Sequence, residues 1–384
     1  MGKMIYLDHA ATTPVDPEVL RKMIPYFTEH FGNPSSAHPC GRHTAKVVSD
    51  ARRDLSRMIG CSDSEIVFTA GASESNNLAI KGVAECYEEK RHFITSSFEH
   101  KASLNAMRRI EEWGHEVTYV DPRPDGIIDP RDVEEAMRPG ETVLVSIMHV
   151  NNEIGTIQPI DDIGEICHRY GALFHTDATQ SFCKLPLSCS ENYDLISFSA
   201  HKFYGPKGVG GLYVNEGIEL SCQIDGGSQE SGLRAGTTNV PGIVGMVEAA
   251  KKMQPHIEDN LKKLKHLERV FLDAVRSNIP MSYVQGNANM KAPWIQNICF
   301  FEVDGATLRD LLGREGICVS RSSACATSGE PSHVLESIGL HEQLHPGAIR
   351  FSFGAHTTEA ELLEAAKTTE NLVRRLRGGR VRVG

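Results

Sequence analysis

Seven short β-rich runs dominate the stretch between Ser64 and Val214: SEIVFTA, RHFITSS, HEVTYVD, TVLVSIMHV, GALFHTDA, DLISFSA and GGLYV. Helical patterns accompany them. In AKVVSDARRDLSRMIG, for example, Val47, Val48, Ala51, Leu55 and Met58 recur on one face and Gly60 supplies a stop. Strands alternating with helices predict an α/β fold built on a mainly parallel sheet covered on both sides. In such sheets ligand groups collect just beyond the carboxyl ends of the strands.

The polar residues of this chain obey that rule. Gly71, Ala72 and Ser73 fall after a strand and before a helix, where free backbone N–H groups and the helix dipole favour a phosphate. The stretch is not a P-loop, because no G-K-[ST] follows. Glu99 and His100 follow FITSSF, Asn151 and Asn152 follow VSIMHV, Asp177 and Gln180 sit at the end of ALFHT, and Ser199, His201 and Lys202 follow DLISF. Any one of these alone reads as a hydrogen-bonded turn residue; five strand ends so equipped read as one site.

Lys202 lies in SFSAHKFYGPKGVGG, which is either a surface turn with an incidental lysine or a place where that lysine does covalent chemistry. The surrounding set favours the second. Pyridoxal phosphate chemistry needs a phosphate cradle, a lysine for the Schiff base, a carboxylate for the pyridinium nitrogen and groups that orient the ring. Lys202 is the candidate Schiff-base residue, and Asp177 the carboxylate that keeps the ring nitrogen protonated. His100 is placed to stack on the ring, Gln180 to donate to the phenolic oxygen, and Ser199 and His201 to join Ser73 on the phosphate.

Composition narrows the partners. A net charge of -10 argues against a general nucleic-acid or membrane-surface binder. The basic run from Arg374 to Arg382 reads as a solvated terminus. No apolar stretch resembles a signal peptide or approaches bilayer length, so a soluble, cytoplasmic protein is expected. The ten cysteines include no C-x-x-C pair, which leaves neither a zinc ribbon nor a secreted disulfide framework. Cys299 and Cys318 have apolar neighbours and read as small core residues, whereas Cys325 lies in RSSACATSGEPSH, a polar stretch that reads as an exposed, mobile loop.

The motifs YLDHAATTP, FGNPSSAH, GASESNNLAIKG, EHKA, MHVNNEIG, HTDATQS, SFSAHKFYGPKGVG, RAGTTNVP and SSACATSGEPSHVL resemble those of the cysteine desulfurases of the IscS/NifS branch, within the class V aminotransferase superfamily. The resemblance runs from Tyr6 to about Thr358. It implies a fold type I enzyme: a large pyridoxal-phosphate domain with a mostly parallel seven-stranded sheet, a smaller α/β domain, and a homodimer with sites near the interface. Ala72, Ser73, Ser199 and His201 fall on phosphate-side positions, and Asn152, Asp177 and Gln180 on ring or substrate positions. Thr237 matches a residue that reaches the neighbouring subunit's phosphate. Asn33 and His38 resemble residues lining the pocket. Cys40 lies close by, with no functional account.

We expect residues 16–254 to form the large domain, and residues 1–15 with 255–384 the small one, because a helical pattern crosses Pro255 and proline favours a break. Thr358 and Glu361 have the spacing of a capping box ahead of the last helix. Arg350 is the candidate for the substrate carboxylate, since a guanidinium offers two parallel donors to a planar anion; its alternative is an ion pair between domains.

The implied reaction removes sulfur from L-cysteine, leaving L-alanine and a persulfide on Cys325, with His100 as a proton acceptor. The thiolate is the nucleophile, and a free thiol of pKa about 8.5 is only slightly ionised near neutrality. The persulfide then passes to an acceptor: an iron-sulfur scaffold protein is the family expectation, and tRNA thiolation through carriers the other course. Cys325 is also a candidate transient ligand of a cluster in transfer. The Cys325 to Glu330 segment is one residue shorter than the usual SACTSxSLEPS form, which bears on loop reach. An aminotransferase or a lyase, including a selenocysteine lyase, would use Lys202, Asp177 and Arg350 without Cys325. A catalytically idle binding protein would have a broken cofactor set, and here Lys202, His100, Asp177 and Cys325 are all present.

Overall fold

A computed structural model describes residues 4–87, 91–189, 192–321 and 332–378. Cys325 lies outside them. In chain order the strands are β1 (Ile5–Tyr6), β2 (Ile66–Thr69), β3 (His92–Ser96), β4 (Glu116–Val120), β5 (Thr142–Ser146), β6 (Leu173–Asp177), β7 (Leu195–Ser199), β8 (Gly210–Val214), β9 (Ser282–Val284), β10 (Ile295–Phe300), β11 (Ile317–Cys318) and β12 (Ala348–Ser352). Seven of them form the central sheet in the order β2-β8-β7-β6-β5-β3-β4. Every adjacent pair in it is parallel except the two made by β8. Since β8 is antiparallel to both neighbours, β2 and β7 point the same way. The carboxyl ends of β2, β3, β5, β6 and β7 therefore open on one edge of the sheet, as the polar residues after them require.

Strand alternation builds a core on each face. Ile66, Phe68, Ile94, Val145, Phe174, Ile196 and Phe198 join one cluster, shared with the helices Pro39–Ile59, Ile160–Arg169 and Val240–Met253. Val67, Phe93, Leu144, Leu195 and Leu212 join another, shared with the helices Ala72–Cys86 and Lys101–Glu112. This two-sided burial is what a mostly parallel sheet needs.

The glycines after Lys202 have a steric cause. A Cβ on Gly210 would meet Phe198 O at 2.5 Å and Gly71 Cα at 2.7 Å, and one on Gly211 would meet the Phe198 ring at 2.4 Å. They let β8 return tightly against β7 and bring the chain up to Gly71.

A further core forms outside the central sheet. Leu264, Phe271 and Val275 of the helix Ile257–Asn278 pack with Ile298, Phe300, Ile349 and Phe351 of β10 and β12, with the last helix, Glu359–Gly378, and with Ile5 and Leu7. β1 pairs in parallel with β11, which joins the amino terminus to this unit. The long helical pattern is interrupted by a 3-10 turn at Gln254–His256, where Pro255 removes a backbone donor. At the last helix Glu361 Oε2 accepts from Thr358 N at 3.0 Å, and Thr358 Oγ1 accepts from Glu361 N at 3.3 Å. We propose the domain division at Gln254/Pro255, with residues 1–15 in the small domain, on the strength of these separate cores. Cys299, Val334, Leu335, Ile338 and Ala348 pack back into the first core and join the two units. Cys299 is buried, while Cys318 is half-buried at the end of β11. Among the described residues no helix is long and apolar enough to cross a membrane.

Candidate active site

The shared edge encloses a cavity of about 650 Å³. Ala72, Ser73, His100, Asn152, Asp177, Gln180, Ser199, His201, Lys202 and Arg350 all line it. Chain segments 340 residues apart in sequence thus meet in one place, and the strand ends bring them there.

The wall below β2 is a helix amino terminus that could cradle an anion. Gly71, at φ 149°, turns the chain from β2 into the helix Ala72–Cys86, a conformation that a side chain would strain. The first N–H groups of a helix have no intrahelical acceptor and carry the positive end of its dipole. A Cβ on Gly71 would also come within 3.4 Å of Ser199 Oγ, so the glycine keeps this hydroxyl accessible beside the helix end. His201 Nδ1 lies 3.1 Å from Thr12 Oγ1, and burial, reinforced by Lys202, Lys207 and Lys184, pulls its pKa down to about 4.

Asp177 ends β6 and is buried. Its Oδ2 accepts from Asn76 Nδ2 at 2.7 Å and its Oδ1 from Thr179 N at 2.9 Å. Lys202 Nζ donates to Ala10 O at 2.5 Å and to Ala11 O at 2.8 Å. Gln180 Nε2 donates to the same Ala10 carbonyl at 2.8 Å, and its Oε1, although buried, has no partner. The amino-terminal segment that forms β1 therefore continues into the lysine's resting place.

His100 caps the helix Lys101–Glu112. Its Nδ1 accepts from Ala102 N at 3.1 Å. In a neutral imidazole that bond leaves the proton on Nε2. Burial holds the ring below its ordinary pKa, with Lys202 and His333 adding to the effect and Asp177 and Glu153 opposing it. His100 is thus set to donate through Nε2, and the proton-accepting role requires release of the Ala102 contact.

Arg350 on β12 is 1% exposed. Nη1 donates to Asn152 O at 2.8 Å, Nη2 pairs with Asp8 Oδ1 at 2.9 Å, and Nε has no acceptor. Ser320 Oγ holds the other Asp8 oxygen at 2.9 Å. The ion pair that Arg350 makes is not the interdomain one considered, because Asp8 and Arg350 both belong to the proposed small domain, and Arg350 itself lines the cavity.

Three expected residues stand apart. Asn33 is exposed and its Oδ1 accepts from Ser35 N, His38 is exposed and caps the helix Pro39–Ile59 through Nδ1, and Thr237 is exposed. None of the three lines the cavity of a single chain. Conversely, Asn76 and Asp8 were not expected. Each is a small polar residue whose role appears only when a distant partner folds onto it. The amino-terminal motif YLDHAATTP contains Asp8, Ala10, Ala11 and Thr12, so it was a visible signal without an assigned role.

The site suits a phosphorylated pyridine aldehyde: a helix amino terminus that can receive an anion, a buried carboxylate, and an amine within the same cavity. Fold and site together define a pyridoxal-phosphate enzyme of the aminotransferase type. Comparison with known proteins narrows this. The family described as aminotransferase class-V matches residues 5–364. A cysteine desulfurase IscS from Dictyoglomus turgidum is 43% identical over 380 residues, 98% of this chain and 96% of that protein. A solved NifS-like protein superposes with a TM-score of 0.92 at 37% identity, over 97% of this chain and all of that one. Another solved structure, SspA in complex with cysteine, gives 0.80 at 40% identity, over 92% and 99%. The chain belongs to the class V aminotransferase family and, within it, to the cysteine desulfurases, which depend on pyridoxal phosphate.

Proposed function

We propose that this chain takes sulfur from L-cysteine through Lys202, Asp177, His100, Arg350 and Cys325. The observation that carries the reading is the convergence of Lys202, Asp177 and Arg350 on one cavity with an anion cradle at its wall. The cysteine bound to the 40%-identical SspA supports the substrate.

When bound, the cofactor supplies an electron-accepting ring that weakens bonds at the substrate's reacting carbons. Ala72, Ser73, Ser199 and His201 hold its phosphate, Asp177 receives the ring N–H, and Gln180 donates its second amide hydrogen to the phenolic oxygen. Asn152 borders ring and substrate. Lys202, now held by the Ala10 and Ala11 carbonyls, would hold the aldehyde end of the cofactor, and its amine would move the proton at the substrate's Cα. Arg350 presents its fork to the substrate carboxylate, and Asn33 assists. His100 orients the ring and, once the Ala102 contact at Nδ1 is released, accepts a proton from the Cys325 or substrate thiol.

Cys325 accepts the sulfur. Its thiolate attacks the substrate sulfur, the S–S bond forms as the C–S bond breaks, and the carbon left behind takes a proton, so the products are L-alanine and a persulfide. We place the persulfide's onward transfer to an iron-sulfur scaffold protein or another carrier, with Cys325 as a transient cluster ligand in that exchange. The shortened loop sets which acceptors it reaches. We also propose a cytoplasmic homodimer in which Thr237 completes the neighbouring phosphate site. Leu20, Ile24, Phe27 and Phe31 are exposed within one short stretch of chain and supply apolar surface suited to such a contact.

Incubating the purified protein with L-cysteine tests the reading. Alanine should form, and sulfide should appear on addition of a reductant or an acceptor; a protein that carries the cofactor but forms no alanine contradicts it.

A further inference from the structure

One buried side chain joins three parts of the site that are far apart in sequence. Asn76 lies on the helix whose first turn forms the anion cradle. Its Nδ2 donates to Asp177 Oδ2 at 2.7 Å and to Ser103 Oγ at 3.1 Å. Ser103 belongs to the helix that His100 caps. The cradle, the carboxylate and the ring-stacking histidine are thereby tied through a single amide.

The orientation of that amide is informative. Asn76 is fully buried and its Oδ1 has no hydrogen-bond partner, a costly condition for an acceptor away from water. Turning the amide over would set Oδ1 against the Asp177 carboxylate, so the contact with Asp177 decides the orientation. Thr179 N, the donor on the other carboxylate oxygen, comes from Asp177's own turn. It fixes the carboxylate relative to its own strand, whereas Asn76 fixes it relative to the cradle. The charged and titratable groups that bear on this carboxylate are His175 from its own strand and Glu99 and His100 from the end of β3, and Lys202 from the turn after β7 lines the same cavity.

We propose that Asn76 is a positioning residue for this reaction: it sets the distance and aim of Asp177 relative to the phosphate cradle, and so decides how firmly the ring nitrogen keeps its proton. The inference rests on the assignment of Asp177 as the ring-nitrogen carboxylate. Asn76 touches no reacting atom in this account; it acts through Asp177.

Holoenzymes of Asn76→Ala, Asn76→Asp and Asp177→Asn are compared with the parent by pyridoxal phosphate affinity and by the pH midpoint of their visible absorption. Asn76→Ala should weaken cofactor binding by roughly 10- to 100-fold, the loss expected for one hydrogen bond to a charged group. It should also shift the pH midpoint. In Asn76→Asp two carboxyl groups share a proton, so the donor returns only as pH falls. That variant should behave like Asn76→Ala at pH about 8 and approach the parent below pH about 6. An Asn76→Ala protein that melts at lower temperature but keeps the parent's affinity and pH midpoint overturns the proposal, because packing alone then explains the residue. If Asp177→Asn also leaves both quantities unchanged, the assignment of Asp177 fails and takes this inference with it; if only Asp177→Asn changes them, the failure is confined to Asn76.

Discussion

Arg350 and Asp8, 342 residues apart in sequence, form an ion pair at 2.9 Å, and the buried Arg350 lines the cofactor cavity. A guanidinium taken out of water at this cost is kept only with partners. Asp8 and the Asn152 carbonyl occupy two of its donors and hold the plane of the fork rigid. In the proposed role of Arg350, a substrate carboxylate would share the cation with Asp8, and recognition would depend on aim as well as on charge.

Arg350→Lys tests that geometry. The point charge survives and the planar fork is lost, so kcat/KM for L-cysteine should fall by roughly 10- to 100-fold, mostly through KM. The resting visible spectrum should stay that of the parent. An unchanged KM would remove Arg350 from substrate binding.

Lys202→Ala should abolish the lysine-bound chromophore and stop alanine release, while some cofactor remains through the cradle and Asp177. Reduction of the parent with borohydride followed by peptide mapping should label Lys202. A label on another lysine would contradict the assignment made from its place after β7.

Much of this site was legible because the chemistry hangs on strand ends, and strand ends are local features. The runs ending at Thr69, Ser96, Ser146, Asp177 and Ser199 could be read from β-rich composition, and the polar residues after them fell on one edge once strand direction was set by parallel pairing. Asn76 was not legible in the same way. In SESNN it looks like any polar residue of a helix surface, and its burial depends on a strand 101 residues further on. Asp8 was hidden likewise, since its value lies in a partner on β12. The helix cap at His100 is local, yet the tautomer it imposes depends on the Ala102 N–H pointing at Nδ1, which spacing alone does not disclose.

Buried neutral histidines make the fold acid-sensitive. His9, His149 and His175 are each pulled down to about pKa 4 by burial, against an ordinary value of 6.5. Between these values the unfolded chain binds protons that the native one refuses, so stability is full above about pH 6.5 and is lost as pH falls toward 4. Glu99 acts in the opposite sense: burial pushes its pKa up to about 8, so its contribution fades as pH rises from the ordinary glutamate range through 8. Melting temperature should fall steeply from pH 6.5 to 4, and Glu99→Gln should flatten the decline on the alkaline side. A melting temperature independent of pH between 4 and 6.5 would refute the buried neutral histidines.

The proposed self-association can be tested through Thr237, which is exposed and does not line the cavity of a single chain. Sedimentation at low micromolar concentration should give twice the chain mass. Thr237→Ala should weaken cofactor binding without dissociating the dimer, and a fully active monomer would exclude the shared site.

The most direct test of the whole account is alanine release by Cys325→Ser, measured beside the parent in the presence of L-cysteine. The variant should keep its cofactor and change its visible spectrum when substrate is added, because Lys202, Asp177 and Arg350 remain. Its alanine output should fall by orders of magnitude, each tenfold corresponding to about 1.4 kcal/mol of barrier. The parent, analysed by mass spectrometry after brief exposure, should carry one added sulfur on the peptide holding Cys325. Alanine and sulfide released by Cys325→Ser at near the parental rate would contradict sulfur transfer to this thiol and leave a simple lyase in its place.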